Sequence, residues 1–535
     1  MRRITSKIDP QSGEFFTYAA HNRKILAAFH EKQHHARFTR SKRDVERLRN
    51  QKKLLVRERI DLLLDPGTPF LELSTLAANL AYDGSVPSAG LVSGIGIVNG
   101  REVMVMASDS TIKGGAWYPL TVKKMVRTLD ICLENHLPVV HLVDAAGAFL
   151  PLQSGLFPDR HMAGRIFRNQ CILSARGIRQ VALVLGHSTA GGAYIPTLSD
   201  YSIMVRGTGG VFLGGPPLVK AATGEEVTAD ELGGADVHST VSGTADYAVD
   251  SEKEGLALVR EIIGTFARTP KMDMEKRDTE APYYDPEELY GIIPDNVKKQ
   301  FDMREVIARI FDGSRFHEFK PDYGATAVCG FAFLYGWKVG IVGNNGVLFS
   351  DSAQKCTQFM QLCDRDLIPV IFFQNITGFM IGKSYEHGGI TKDGAKMLMV
   401  QSNLCVPKLT IMTNGSFGAG NYAMCGRAFD ARFLFSWPNS QISVMGMEQA
   451  IKTLTQININ ALKRQGKTLS PEAVQKIKED VSKDYMEKSS AFYATSELWD
   501  DGIIDPADTR KVLGICLSAA LHRRITKTPN GVLRI

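Results

Sequence analysis

At 535 residues the chain is too long for one ordinary core, and its formal net charge of +6 is too small and too dispersed for a nucleic-acid-binding protein. Apolar residues make up 44% and charged ones 22%, as in globular proteins, and no apolar run approaches the ~18 to 20 residues of a membrane helix. None of the eight cysteines stands in a Cys-x-x-Cys pair, so zinc-ribbon and thioredoxin-like chemistry are not indicated and no metal site is expected. They read as reduced, mostly buried thiols of an intracellular protein. The opening Met-Arg-Arg-Ile has no apolar core of a secretion signal, which points to the cytoplasm, with the mitochondrial matrix as the alternative.

In chain order, the densest basic group, Arg23 to Arg59, predicts one or two solvated helices. Short apolar strands follow at Val103 to Ala107, Val139 to Val143 and Val181 to Leu185, with a helix over Thr121 to Asn135 between the first two. The stretch Arg277 to Glu288 is rich in proline and acid and reads as a linker. Beyond it come strands at Ile341 to Val342 and Val370 to Phe373, with a helix over Ser352 to Asp364. Strands alternating with helices, each strand ending in a glycine-rich turn, indicate an α/β layered fold. A charged amphipathic insertion, about 448–486, carries Ser470-Pro471 as helix cap and first-turn proline and predicts a surface helical hairpin.

The second series repeats the first. Gly94-Ile-Gly-Ile-Val-Asn-Gly100 is echoed by Gly330-Phe-Ala-Phe-Leu-Tyr-Gly336, and Leu137 to Phe149 by Ile368 to Met380. Ala190-Gly-Gly-Ala-Tyr194 is echoed by Gly418-Ala-Gly-Asn-Tyr422, and Arg57 through Asp65 to Glu72 by Arg304 through Asp312 to Glu318. The matches are collinear, as duplication predicts. Each copy has two small-residue turns, Gly147-Ala148 with Gly191-Gly192, and Gly378-Phe379 with Ala419-Gly420. Backbone amides at strand-to-helix turns, with small residues admitting a ligand, can hold a carbonyl oxygen as it becomes an anion. Four turns in two equivalent pairs therefore predict two oxyanion holes. Competing motifs are weak. Gly186-His-Ser-Thr-Ala190 lacks the last glycine of a nucleophile elbow, and no Gly-Lys-Ser/Thr P-loop exists, so no ATP site is expected.

Lys113-Gly-Gly, Pro119 to Lys124, Ser188 to Tyr194, Gly215 to Gly224, Glu231 to Asp236, Gln374 to Met380, Gly415 to Tyr422 and Trp499 to Gly502 together resemble the carboxyltransferase (β) subunits of biotin-dependent acyl-CoA carboxylases, most closely the methylcrotonoyl-CoA branch. The resemblance covers essentially the whole chain. It implies two tandem crotonase-like α/β domains, residues 1–280 on the acyl-CoA side and 281–535 on the carboxybiotin side. The amides of Gly147, Ala148, Gly191 and Gly192 would then hold the thioester enolate, and those of Gly378, Phe379, Ala419 and Gly420 the biotin ureido oxygen. Lys113, Lys124 and Arg160 are candidate CoA phosphate ligands; Ala190, Tyr194, Thr377, Phe417 and Tyr422 are further candidate contacts to the carriers. The resemblance also implies biotin on a separate α subunit that carries the ATP-dependent step. It implies a homo-oligomer, a β hexamer within an α6β6 assembly, with each active site between the N domain of one copy and the C domain of another.

Three departures bear on substrate. Ala145-Ala146 stands where the family commonly has Ser-Gly before the turn, Leu152 where it usually has arginine, and Met447 where the branch usually has glycine; with Phe149 these are the candidate acyl-pocket residues. 3-Methylcrotonoyl-CoA is the leading substrate, as in leucine degradation, and geranoyl-CoA or another branched or longer acyl-CoA the alternative. A biotin-dependent decarboxylase subunit and a non-enzymatic scaffold remain as other classes.

Overall fold

The computed structural model describes residues 1–267, 271–465, 470–528 and 531–533. Two sheets organise it. In the first, β1 (Leu71–Leu73), β2 (Leu91–Val98), β3 (Arg101–Ser108), β4 (Val139–Ala145), β5 (Gln180–Thr189), β6 (Tyr201–Val205) and β7 (Tyr247–Val249) lie side by side in chain order. The second repeats this with β8 (Arg315–Phe319), β9 (Ala327–Leu334), β10 (Trp337–Asn344), β11 (Val370–Phe379), β12 (Lys408–Phe417) and β13 (Phe433–Ser436). Pairing type repeats as well. β1-β2-β3 and β8-β9-β10 are antiparallel, and every later neighbour on these paths is parallel. Each parallel step needs a crossover, and helices Pro119–Asn135 and Ser350–Arg365 supply the equivalent ones after β3 and β10. Arg2–Arg3 adds an antiparallel edge strand to β8.

The matched sequence positions do the same physical work in both sheets. Arg57 makes a two-pronged bond to Glu72 at 3.0 and 2.9 Å, and Arg304 does so to Glu318 at 2.8 and 2.5 Å. Asp65 accepts the amides of Asn99 and Gly100 at the β2–β3 turn; Asp312 accepts those of Tyr335 and Gly336 at the β9–β10 turn. One apolar cluster joins the two layers, running from Leu129 and Val139 to Phe311, Ile371, Phe433 and Leu517. No helix of the described residues is long and apolar enough to cross a membrane.

The basic N-terminal segment is helical with most of its basic side chains exposed, as expected, but part of it is buried in the fold. It forms α1 (Gly13–Phe38), α2 (Lys42–Asn50) and α3 (Val56–Leu63). The Asn22 amide donates to the Tyr18, Tyr290 and Ile293 carbonyls, which ties α1 to the second half of the chain. Lys53 and Arg59 are buried, because the Asp144 carboxylate at the end of β4 reaches both. The insertion forms helices Met447–Arg464 and Pro471–Ser489, and the Ser470 hydroxyl accepts the Ala473 amide as the cap reading predicts.

Candidate active site

Both sheets are interrupted at the same place. Between β4 and β5 the pairing jumps from Val143 opposite Val184 to Ala145 opposite Ser188, and between β11 and β12 from Gln374 opposite Met412 to Ile376 opposite Ser416. In each case one residue on one strand faces three on the other, a bulge that bends the strand end and turns it out of the ladder. Asp144 and Asn375 sit at the two interruptions. The glycine turns follow directly.

In the first half, Gly147-Ala148 pairs with Ala116-Trp117 as a short parallel ribbon. Gly147 is buried at φ +83°, a left-handed conformation that glycine adopts freely, and a Cβ there would lie 3.1 Å from the Thr189 carbonyl oxygen. This proximity brings the Gly147 turn against the Ala190–Ala193 turn. Gly191 and Gly192 lie over Trp117, and Phe167 closes the side of Gly191. Ala190 holds φ +55° without being glycine, a strained start to the turn. Ser188 is buried and its hydroxyl donates to the Gly192 carbonyl at 2.7 Å, so it braces the turn and is not a free nucleophile.

In the second half, Gly378 has φ +121° and Gly418 φ +58°. A Cβ on Gly420 would lie 3.4 Å from the Gly378 Cα and collide with Ile376 Cδ1 at 2.3 Å, so these two turns also face each other at close range. Each predicted turn pair is thus brought together within its own half; a cavity of ≈ 480 Å³ meets Ala145 and Ala146, just before the first pair, and another of ≈ 480 Å³ meets Gly418 and Ala419 of the second. The first is lined by Arg47, Lys53, Ser110, Asp144, Ala145, Ala146 and His187 among others. The second is largely apolar, with Gly418, Ala419 and Tyr422 facing Ile442, Val444, Leu454, Tyr485 and Trp499.

The strand ends are fastened differently. Asp144 is 5% exposed and accepts Lys53 Nζ at 3.0 Å, both terminal Arg59 nitrogens at 3.2 Å and the Ser110 hydroxyl at 2.8 Å. Arg59, 1% exposed, also forks onto Glu252 at 2.9 and 2.6 Å. Burial pushes the Asp144 carboxyl up, but the charges of Arg59 and Lys53 more than offset it and hold it below the usual carboxylate range. Asn375 is held by neutral amides. Its N–H donates to Asn344 Oδ1 at 3.0 Å, its carbonyl accepts Asn344 Nδ2 at 2.7 Å, and its Oδ1 accepts Asn414 Nδ2 at 3.0 Å.

The remaining predicted residues divide. Ala146 and Ala148 are exposed at the first turn, Thr377 is exposed and Phe379 half-buried at the second, and Tyr194 and Tyr422 stand 44% and 49% exposed beside the two pairs. Lys113 and Arg160 are on the surface. Lys124 is not a phosphate ligand. It is buried, and its ammonium donates to the carbonyls of Ser74, Ser88 and Leu91 at 3.0, 3.2 and 2.7 Å, which spends all three protons inside the fold. Phe417 is 3% exposed and offers no face to a ligand. Phe149 stacks on Tyr118 with centroids 4.4 Å apart, and Leu152 packs on the same cluster, so neither lines the first cavity. Met447 begins its helix outside the lining of the second cavity, where Val444 stands instead.

Sequence reasoning missed two groups. The cluster of Lys53, Arg59, Asp144 and Glu252 is one, and only the alignment of Asp144 with Asn375 hinted at it. The other is the inner face of the insertion. Leu454, Tyr485 and Lys488 wall the second cavity, and the Tyr485 hydroxyl donates to the Met445 carbonyl at 2.5 Å, so the hairpin is not purely a surface feature.

Similarity to known proteins agrees with this geometry. The carboxyl transferase domain family matches residues 47–533. The mitochondrial methylcrotonoyl-CoA carboxylase β chain of Arabidopsis thaliana is 52% identical over 92% of this chain and 85% of its own. The biotin-dependent 3-methylcrotonyl-coenzyme A carboxylase β1 subunit of Mycobacterium tuberculosis is 49% identical over 97% of this chain and 98% of its own. Among solved structures, the β subunit of P. aeruginosa geranyl-CoA carboxylase superposes with a TM-score of 0.87 at 40% identity, covering 99% of both chains. With two bulged strand ends, two facing glycine turn pairs and a family match over nearly its whole length, the chain belongs to the carboxyl transferase domain family.

Proposed function

We propose that the chain is the carboxyltransferase β subunit of a biotin-dependent acyl-CoA carboxylase and that 3-methylcrotonyl-CoA is its substrate. The carrying observation is the repeated bulge with its facing glycine turns, the second pair opening on a largely apolar cavity. The first half, residues 1–280, takes the acyl-CoA. The amides of Gly147, Ala148, Gly191 and Gly192 would serve as the donors that stabilise the thioester oxygen as it gains charge; one such donor is worth ~3 kcal/mol of barrier. For a β-methyl enoyl substrate the proton leaves the γ carbon, because conjugation delivers the charge to that same oxygen, and the enolate then forms the new carbon–carbon bond to the carboxyl carbon.

The second half, 281–535, fits a neutral bicyclic urea. Gly378 and Gly420 leave room at the turn, and Ile442, Val444, Tyr485 and Trp499 offer apolar walls. Carboxybiotin carried by a partner subunit supplies the carboxyl group there and, in its ureido nitrogen, an acceptor for the substrate proton. The chain's own part is to orient that ring and to place amides of Gly378, Phe379, Ala419 and Gly420 around its oxygen.

The two cavities are distinct within one copy, which supports an oligomer that apposes the first half of one copy to the second half of another, in the hexameric assembly the family resemblance implies. Exposed apolar side chains occur in both halves, among them Leu150, Phe157 and Leu213 in the first and Ile381, Tyr385 and Val444 in the second. Relatives occur in mitochondria and in bacteria, so either compartment suits this chain. Geranyl-CoA or another longer acyl-CoA is the second reading, favoured by the 40% identity and full-length superposition with the geranyl-CoA carboxylase subunit. The test is co-purification with the biotin-carrying partner and assay with ATP, bicarbonate and a panel of acyl-CoAs. Carboxylation of 3-methylcrotonyl-CoA supports the first reading, preference for geranyl-CoA the second, and no turnover on any acyl-CoA sinks both.

A further inference from the structure

We propose that Asp144 is a positioning residue for the acyl-side turn, and that through Lys53 and Arg59 it makes the competence of that turn depend on the docking of α2 and α3. The inference rests on the carboxyltransferase reading above. Asp144 sits at the pairing jump, one residue before Ala145-Ala146 and three before Gly147. Its carboxylate is gripped from three separate segments: Lys53 between α2 and α3, Arg59 on α3, and Ser110 after β3. The backbone on the other side has no slack. A Cβ on Gly115, at φ +78°, would lie 2.4 Å from the Asp144 carbonyl oxygen and 3.1 Å from Ala145 Cα, and a Cβ on Gly186 would lie 2.0 Å from Asp144 Oδ1.

The cluster balances two cations, Lys53 and Arg59, against two anions, Asp144 and Glu252. It leaves no surplus charge for a CoA phosphate, so its contribution is geometric. Nor does the bulge itself need charge, since Asn375 keeps the equivalent interruption with neutral amides alone. What the ionic version adds is a tie to the N-terminal helices. An oxyanion turn that shifts by ~1 Å loses about a hundredfold in rate while its substrate still binds.

The experiment uses the full chain assembled with its biotin-carrying partner and compares wild type, Asp144→Asn and Ser110→Ala. For each, kcat and KM for the acyl-CoA, acyl-CoA Kd by calorimetry and the thermal midpoint are measured, with kinetics taken well below the lowest midpoint. The expected result for Asp144→Asn is a kcat at least ~10-fold lower with KM and Kd within ~3-fold of wild type, and for Ser110→Ala a smaller loss of about threefold with the same split. Wild-type kcat in a folded Asp144→Asn overturns the inference, as does a loss carried by Kd, which makes Asp144 a binding group. If Asp144→Asn does not assemble, Ser110→Ala decides, and an unchanged kcat overturns the proposal. A wild-type complex that carboxylates no acyl-CoA refutes the carboxyltransferase reading and this inference with it.

Discussion

The two halves solve one backbone problem with different chemistry. Each ends a buried parallel strand in an irregular pairing that leads directly into a small-residue turn. The first half fastens Asp144 with a buried ion cluster, and the second fastens Asn375 with the amides of Asn344 and Asn414. The difference matches the proposed ligands. In the proposed reading a polyanionic CoA approaches the half where Arg47 stands at the cavity, outside the balanced ion cluster, and a neutral urea approaches the half walled by Val444, Tyr485 and Trp499. The ionic fastening is also the more brittle. A buried charge cluster is costly to break by halves, whereas an amide network loses one hydrogen bond at a time.

The largest expected effect exploits that brittleness. Arg59→Met removes the cation shared by Asp144 and Glu252 and should destabilise the protein by about 3 to 5 kcal/mol, whereas Asn375→Ala should cost about 1 to 3 kcal/mol. Denaturant titration of both variants checks this, and equal losses would mean the two fastenings are energetically alike.

Next in size is an asymmetry between the glycine turns. Gly420→Ala drives a methyl to within 2.3 Å of Ile376 Cδ1 and should cost about 1 to 3 kcal/mol, while Gly191→Ala meets only Phe167 at 3.4 Å and Trp117 at 3.9 Å and should stay within ~0.5 kcal/mol. Thermal melts of the pair would show the acyl-side turn to be the roomier one, and a larger loss for Gly191→Ala would refute that.

The smallest effect is a pH dependence at the junction of the halves. Asp501 bridges Arg127 of the first half and Arg427 of the second; burial raises its carboxyl, but the two arginines more than offset this and hold it well below the usual range. Asp500 beside it is fully buried, and burial lifts it to about 6. Its folded value lies above its unfolded one, so the stability it contributes is present below about pH 4 and is lost as pH rises through 6. Asp500→Asn should therefore gain ~1 to 2 kcal/mol over wild type at pH 8 and nothing at pH 4. A gain of the same size at both pH values would assign the effect to packing.

Much of this was legible from sequence, because the repeat is written in short-range features. Gly94 and Gly330, Asp65 and Asp312, and the small-residue turns keep their order, and their backbone roles proved equivalent. The ion cluster was not legible, since Lys53 and Arg59 meet Asp144 and Glu252 across separations of 85 to 193 residues. Lys124 was misassigned because a lysine near a family motif suggests a phosphate. The contrary sign was its helix phase, four residues from both Leu120 and Thr128 on the buried face, and the equivalent Lys355 is buried on the Ala327 carbonyl in the same way. The second cavity was missed because part of its wall, Leu454 and Tyr485, comes from the insertion, which meets the glycine turn only in the folded chain.

The division of labour between the halves is tested most directly by solving the structure of the assembled protein with a bound acyl-CoA. The account predicts the thioester carbonyl against the turns of Ala148, Gly191 and Gly192, with the CoA leading away past Arg47. A thioester seated instead against Gly378 and Gly420 would contradict it.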